Sequence, residues 1–95
     1  MGRVRSTAPL RLRLFVAGTA PNSMRAIANL RAICAEHFAS GLELEIIDLL
    51  VSPERALPDR IIVTPTLVKL APPPERRLVG NLDDIGQVLL ALGQA

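Results

Sequence analysis

Ninety-five residues, 49% of them hydrophobic, make one small domain with a single core and exclude an intrinsically disordered chain. Phe15 and Phe38 are the only Phe, Tyr or Trp residues, which argues against a stacking platform for single-stranded nucleic acid, and no nucleic-acid partner is expected. The net charge of +2 gathers in a basic N-terminal tail over residues 1–9 (Arg3, Arg5), at Arg11 and Arg13, and at Arg76-Arg77, and reads as solubilising charge.

Cys34 is the single cysteine, which forbids an internal disulfide and fits a reducing compartment. Leu14–Ala17 is too short for a secretory apolar core, and no run approaches a membrane span. Met1-Gly2-Arg3-Val4-Arg5-Ser6 matches a myristoylation pattern that arises often by chance and is taken as coincidence. The expected location is cytoplasmic, with no membrane partner.

In chain order, Leu10–Ala17 alternates and then turns apolar on both faces, as a strand does when it runs into a sheet. Gly18–Ser23 is a turn in which Thr19, Asn22 and Ser23 are possible helix caps and Pro21 suits a first turn. Met24–Ala39 has helical period: Ile27, Leu30, Cys34 and Phe38 share a face, with Arg25, Asn29, Ala32 and Glu36 opposite. Ser40-Gly41 ends it. Leu42–Leu49 alternates Leu and Glu as a second strand, which completes a β-α-β unit with an expected right-handed crossover.

Ser52–Leu57 carries a cap, a proline at the first position and an acid in the first turn, and Pro58 limits it to a turn or two. Ile61–Leu70 is a β-branched run interrupted by Pro65 and closed by Pro72, Pro73 and Pro74. It predicts a buried strand whose proline must sit at an edge, a start or a bulge, because proline donates nothing to a ladder. Pro65 and the proline triplet are the candidates for cis peptide bonds. Arg76–Gly80 predicts a short antiparallel partner, and Asp83–Leu92 a closing helix built on Ile85, Val88, Leu89 and Leu92. The order β-α-β-α-β-β-α is an α/β, thioredoxin-like topology.

Redox chemistry on such a fold needs a second sulfur at the helix mouth, and Thr19-Ala20-Pro21-Asn22 offers none. Cys34 lies on the apolar face and reads as a core thiol. His37 has only Glu36 beside it, and neighbours on a helix diverge, so it reads as a surface histidine and not a metal ligand. The chemical alternative is a glutathione-binding enzyme using the Thr64 backbone before Pro65 and the hydroxyl of Thr19 or Ser23. It lacks the helical second domain of such enzymes. The expectation is no catalytic residue, no metal and no cofactor.

Leu14-Phe15-Val16-Ala17-Gly18, Pro21-Asn22-Ser23 with Arg25-Ala26, Ile47-Asp48, Ile62–Lys69 and Pro72–Gly80 together resemble the KaiB family over residues 10–92. Thr-Pro-Thr-Leu, a proline triplet and Arg-Arg-x-x-Gly in register form a specific signature. The resemblance implies a non-enzymatic regulator that binds a KaiC-like ATPase ring, with a KaiA-like protein or a stress-signalling histidine kinase as further partners. It also implies two folds sharing the first β-α-β unit. One is a self-associating ground state that differs over residues 50–95; the other is thioredoxin-like and competent to bind. Local physics agrees with the second through the β-formers at Ile61–Thr66 and the helical period of Asp83–Leu92, although Gly86 and Gly93 weaken that helix. Carried over residue by residue, Lys69, Arg76 and Arg77 are the candidate partner-binding residues, with Arg60 and Arg25 beside them. Pro65, Pro72, Pro73 and Pro74 are the candidates for the fold switch. The chain departs from cyanobacterial members at Glu45 and Val51, where those tend to carry lysines, and at Leu57-Pro58, which replaces an acidic pair.

Overall fold

A computed structural model describes residues 10–38 and 42–93. The basic tail, the Ser40-Gly41 helix end and the last two residues lie outside this range. The element order is β1 (Leu10–Val16), α1 (Pro21–His37), β2 (Leu42–Asp48), a 3₁₀ turn (Pro53–Ala56), β3 (Thr66–Ala71), β4 (Arg76–Val79) and α2 (Ile85–Ala91). The four strands form one sheet in the order β2-β1-β3-β4. β1 and β2 run parallel, as the α1 crossover requires, and β3 and β4 are antiparallel additions. The fold is thioredoxin-like, as the sequence predicts.

Strand alternation sorts the side chains onto two unlike faces. Leu10, Leu12, Leu14 and Val16 of β1 and Leu67 of β3 face the two helices, where they pack with Ala26, Leu30, Ile33 and Cys34 of α1 and Val88 and Leu92 at α2. Each leucine, isoleucine or valine among them contributes roughly 1.5–3 kcal/mol when fully buried. The opposite face carries a smaller cluster of Phe15, Ile47 and Val68, roofed by Leu49, Ile61 and Leu70 from the sheet and the irregular connection after β2. Where a larger thioredoxin-like domain places a full helix, this chain has the four-residue turn Pro53–Ala56, because Pro58 stops it.

Several boundaries differ from the sequence expectation, each for a local reason. Helix α1 starts at Pro21, three residues early, with Pro21 in its first turn. None of the three proposed caps acts as one; Ser23 is instead buried, and its Oγ accepts from the Ala17 N–H at 3.0 Å, pinning the helix to the end of β1. Ser52 likewise makes no capping bond. The strand predicted from Ile61 begins only at Thr66. Pro65 has no N–H for the ladder, yet its carbonyl accepts from the Gly80 N–H at 3.0 Å, so it marks the strand's first rung. Ile62 and Val63 are therefore outside the sheet and exposed, Ile62 by 95%.

The peptide bonds Thr64-Pro65, Ala71-Pro72 and Pro73-Pro74 are cis. Helix α2 is Ile85–Ala91, capped by Asp84, whose carboxylate accepts from the Gln87 N–H at 3.1 Å. Ile85, expected on the buried face, is half exposed. Asn29, expected toward solvent, donates from Nδ2 to the Asn81 carbonyl at 2.9 Å and to Asp83 Oδ1 at 2.7 Å. His37 Nε2 stands 3.8 Å from Glu36 Oε1, so at this helix end the two neighbours do meet.

Candidate partner-binding surface

The connection from Leu49 to Pro65 places apolar side chains in solvent. Leu50, Val51 and Leu57 are each more than 70% exposed, and Ile62, Val63 and Val79 form a second exposed group. Scattered single apolar residues need no explanation, but neighbours around one concavity do. Arg60, Ile61, Ile62, Val63, Thr66, Arg77 and Val79 line a shallow hollow of about 140 Å³ on the sheet face away from the helices. Two arginines line it. Arg77 Nη1 donates to the Arg60 carbonyl at 3.4 Å, and Arg77 Nε is 3.4 Å from Glu75 Oε2. Arg60 is exposed with a φ of 54°, in the left-handed region, which turns the chain from the connection into Ile61.

The five basic residues proposed from the sequence fall into separate places. Arg77 and Arg60 meet at the hollow, and Arg76, next along β4, is exposed on the other side of the strand. Arg25 is exposed on α1, which packs against the helix-covered face. Lys69 is the correction: it is 5% exposed, on the helix-covered side of β3 opposite Leu12 and Arg76, and is no part of the basic surface. An alternating strand gives half its residues to each face, and Lys69 shares the parity of Leu67.

Sequence reasoning also missed a charged lattice beside the hollow. The parallel register sets Arg11 against Glu43 and Arg13 against Glu45, with Nε–Oε1 distances of 3.1 and 3.0 Å. Arg13 also reaches Asp59 at 3.0 Å, and Arg55 reaches Glu45 at 3.2 Å, so the connection after β2 is tied to the sheet at two points. The signal was present: alternating Leu-Arg in one strand and Leu-Glu in the next, once the two are paired in parallel. Arg13 and Asp59, each about one-fifth exposed, make the more sheltered of these pairs.

At the helix mouth, Thr19 and Ala20 are exposed, while Ser23 is buried and its hydroxyl oxygen accepts from the Ala17 N–H. Cys34 is buried in the core between α1 and the sheet, and desolvation raises its thiol pKa above the ordinary value. Among the described residues no group of three or more His, Cys, Asp or Glu side chains could hold a metal ion. No helix among the described residues is long and apolar enough to cross a membrane.

Known proteins share the sequence pattern and the fold. The KaiB domain model matches residues 13–94. The "Circadian clock oscillator protein KaiB" of Prochlorococcus marinus (strain NATL2A) is 49% identical over 81 residues, covering 85% of this chain and 76% of that protein. Its namesake from Synechococcus sp. (strain RCC307) is 48% identical over 85% of this chain and 74% of that protein. Among solved structures, the N-terminal domain of Synechococcus elongatus SasA superposes with a TM-score of 0.74 at 30% identity, covering 100% of this chain and 93% of that one. Chloroplastic thioredoxin z, at 24% identity and a TM-score of 0.73 over 90% of this chain and 77% of its own, shares the fold. With its signature stretches, its topology and 85% of its length matched, the chain belongs to the KaiB family.

Proposed function

We propose that this KaiB-family protein is a non-catalytic regulator that docks on a KaiC-like ATPase ring and tunes its signalling or circadian timing. The observation that carries the reading is the apolar hollow of Ile62, Val63 and Val79, which Arg60 and Arg77 also line. Apolar contact with arginines beside it is the composition of a protein-binding patch. The binding state in this reading is the thioredoxin-like one, and residues 50–95, with Pro65 and Pro72–Pro74, form the half that rearranges from a self-associating ground state. A ring that selects one fold must bind it better than the other, by about 5.5 kcal/mol to take a population from 1:99 to 99:1. A KaiA-like protein or a histidine kinase would be a further partner in the same scheme.

The test is a binding titration against a purified KaiC-like ATPase at several salt concentrations. Arg76→Ala with Arg77→Ala should weaken binding and flatten its salt dependence, since rim charges act chiefly on the approach of the partner. Binding that is unchanged at every salt concentration would refute the role of these arginines. Failure of any KaiC-like ring to bind would refute the reading itself.

A further inference from the structure

The outer edge of β4 has a chemistry of its own. Antiparallel pairs alternate between bonded and non-bonded positions, and the Gly80 N–H to Pro65 carbonyl bond sets the phase of the β3–β4 ladder. With Thr66 opposite Val79 and Leu67 opposite Leu78, the inward-bonding residues of β4 are Arg76, Leu78 and Gly80. Arg77 and Val79 therefore direct their N–H and C=O groups away from β3. Among the described residues no strand pairs with them. The same two residues put their side chains on the open sheet face, where the hollow of Ile62 and Val63 adjoins Val79 and Arg60 adjoins Arg77.

We infer that this edge accepts an extended segment of another protein as a fifth strand, with an acidic side chain opposite Arg77 and a β-branched one, two positions along, in the hollow beside Val79. Main-chain bonds to Arg77 and Val79 supply affinity, and alternate side chains supply selection. The choice of occupant follows from charge. Arg60, Arg76 and Arg77 surround the edge with Glu75 as the nearby acid, so a second copy of β4 would bring like charges together. Charged residues ordinarily guard an edge against such self-pairing, and here the same guard admits an acidic strand. The inference goes beyond the ring-binding reading and does not depend on it.

The probe is the acetylated, amidated peptide Thr-Glu-Thr-Val-Thr, titrated into the full chain labelled with ¹⁵N. The Arg77 and Val79 amide signals should shift first. The same peptide N-methylated at the amides that face β4 should bind about tenfold more weakly or worse, because two hydrogen bonds are lost while every side chain stays. Replacing its Glu by Lys should abolish binding to the wild type. Val79→Pro removes an outward donor without removing a β3–β4 bond and should weaken the unmethylated peptide, with a dispersed spectrum showing that the fold is kept. Equal binding of the methylated peptide, shifts confined to β2, or no shift at all would overturn the inference. So would Arg77 and Val79 signals that move with concentration of the protein alone, which would assign the edge to a second copy.

Discussion

At Gly18 the backbone takes a φ of +56°, and a Cβ there would stand 2.6 Å from Leu50 Cδ1. Its N–H donates to Asp48 Oδ1 at 2.9 Å, and the same oxygen accepts from the Leu50 N–H at 2.9 Å. One carboxylate thus joins the exits of β1 and β2, and the left-handed backbone between them favours glycine. Gly18→Ala should destabilise the fold by about 1–2 kcal/mol from backbone strain, since the exposed Leu50 tip can turn away from the added methyl. Urea unfolding measures this, and an unchanged midpoint would contradict it. Cys34 gives a second residue-level expectation. Its folded pKa lies above the unfolded thiol's, near 9.0, so the unfolded chain loses its proton first. The contribution to stability is full below that value and is lost as pH rises from it through the folded pKa. Unfolding free energies measured from neutral pH upward should fall more steeply for the wild type than for Cys34→Ala, whatever the variant's lower starting stability.

Among the elements, α2 depends most on what surrounds it. Seven residues with Gly86 inside are too few for an independent helix. Its anchor is the loop Asn81–Asp84: Asn29 of α1 bonds Asn81 and Asp83, Asn81 Oδ1 accepts from the Asp83 N–H, and buried Leu82 holds a φ of 65° between them. A leucine in the left-handed region persists only where its neighbours over-determine it. Asn29→Ala should cost about 1–2 kcal/mol through two lost hydrogen bonds. Amide exchange should then accelerate in residues 82–92 before it does in β1; equal acceleration everywhere would show that the clasp is not local. Nothing in the local pattern signals this clasp, because Asn29 lies on the helix face that periodicity assigns to solvent. Periodicity weighs apolar faces and is blind to a polar side chain that finds backbone partners 52 residues away.

For the whole molecule, the two sheet faces set the division of labour: helices and core on one, a charged lattice with an apolar hollow on the other. Backbone chemical shifts of the isolated protein at dilute concentration should report extended conformation over Thr66–Ala71 and Arg76–Val79 and helix over Ile85–Ala91. A different pattern over residues 52–92 would show the alternative fold to be the resident one. The strand and helix order was legible from the chain itself, because alternation, helical period and proline are local properties that the backbone obeys before it packs. The motifs that mark the family were legible for the same reason. Tertiary structure alone decided that Ile62 and Val63 stay outside the sheet and that Lys69 is buried while Arg77 is presented beside Arg60. Those outcomes turn on ladder register and on which face a helix covers, quantities that arise only when segments distant in sequence are brought together.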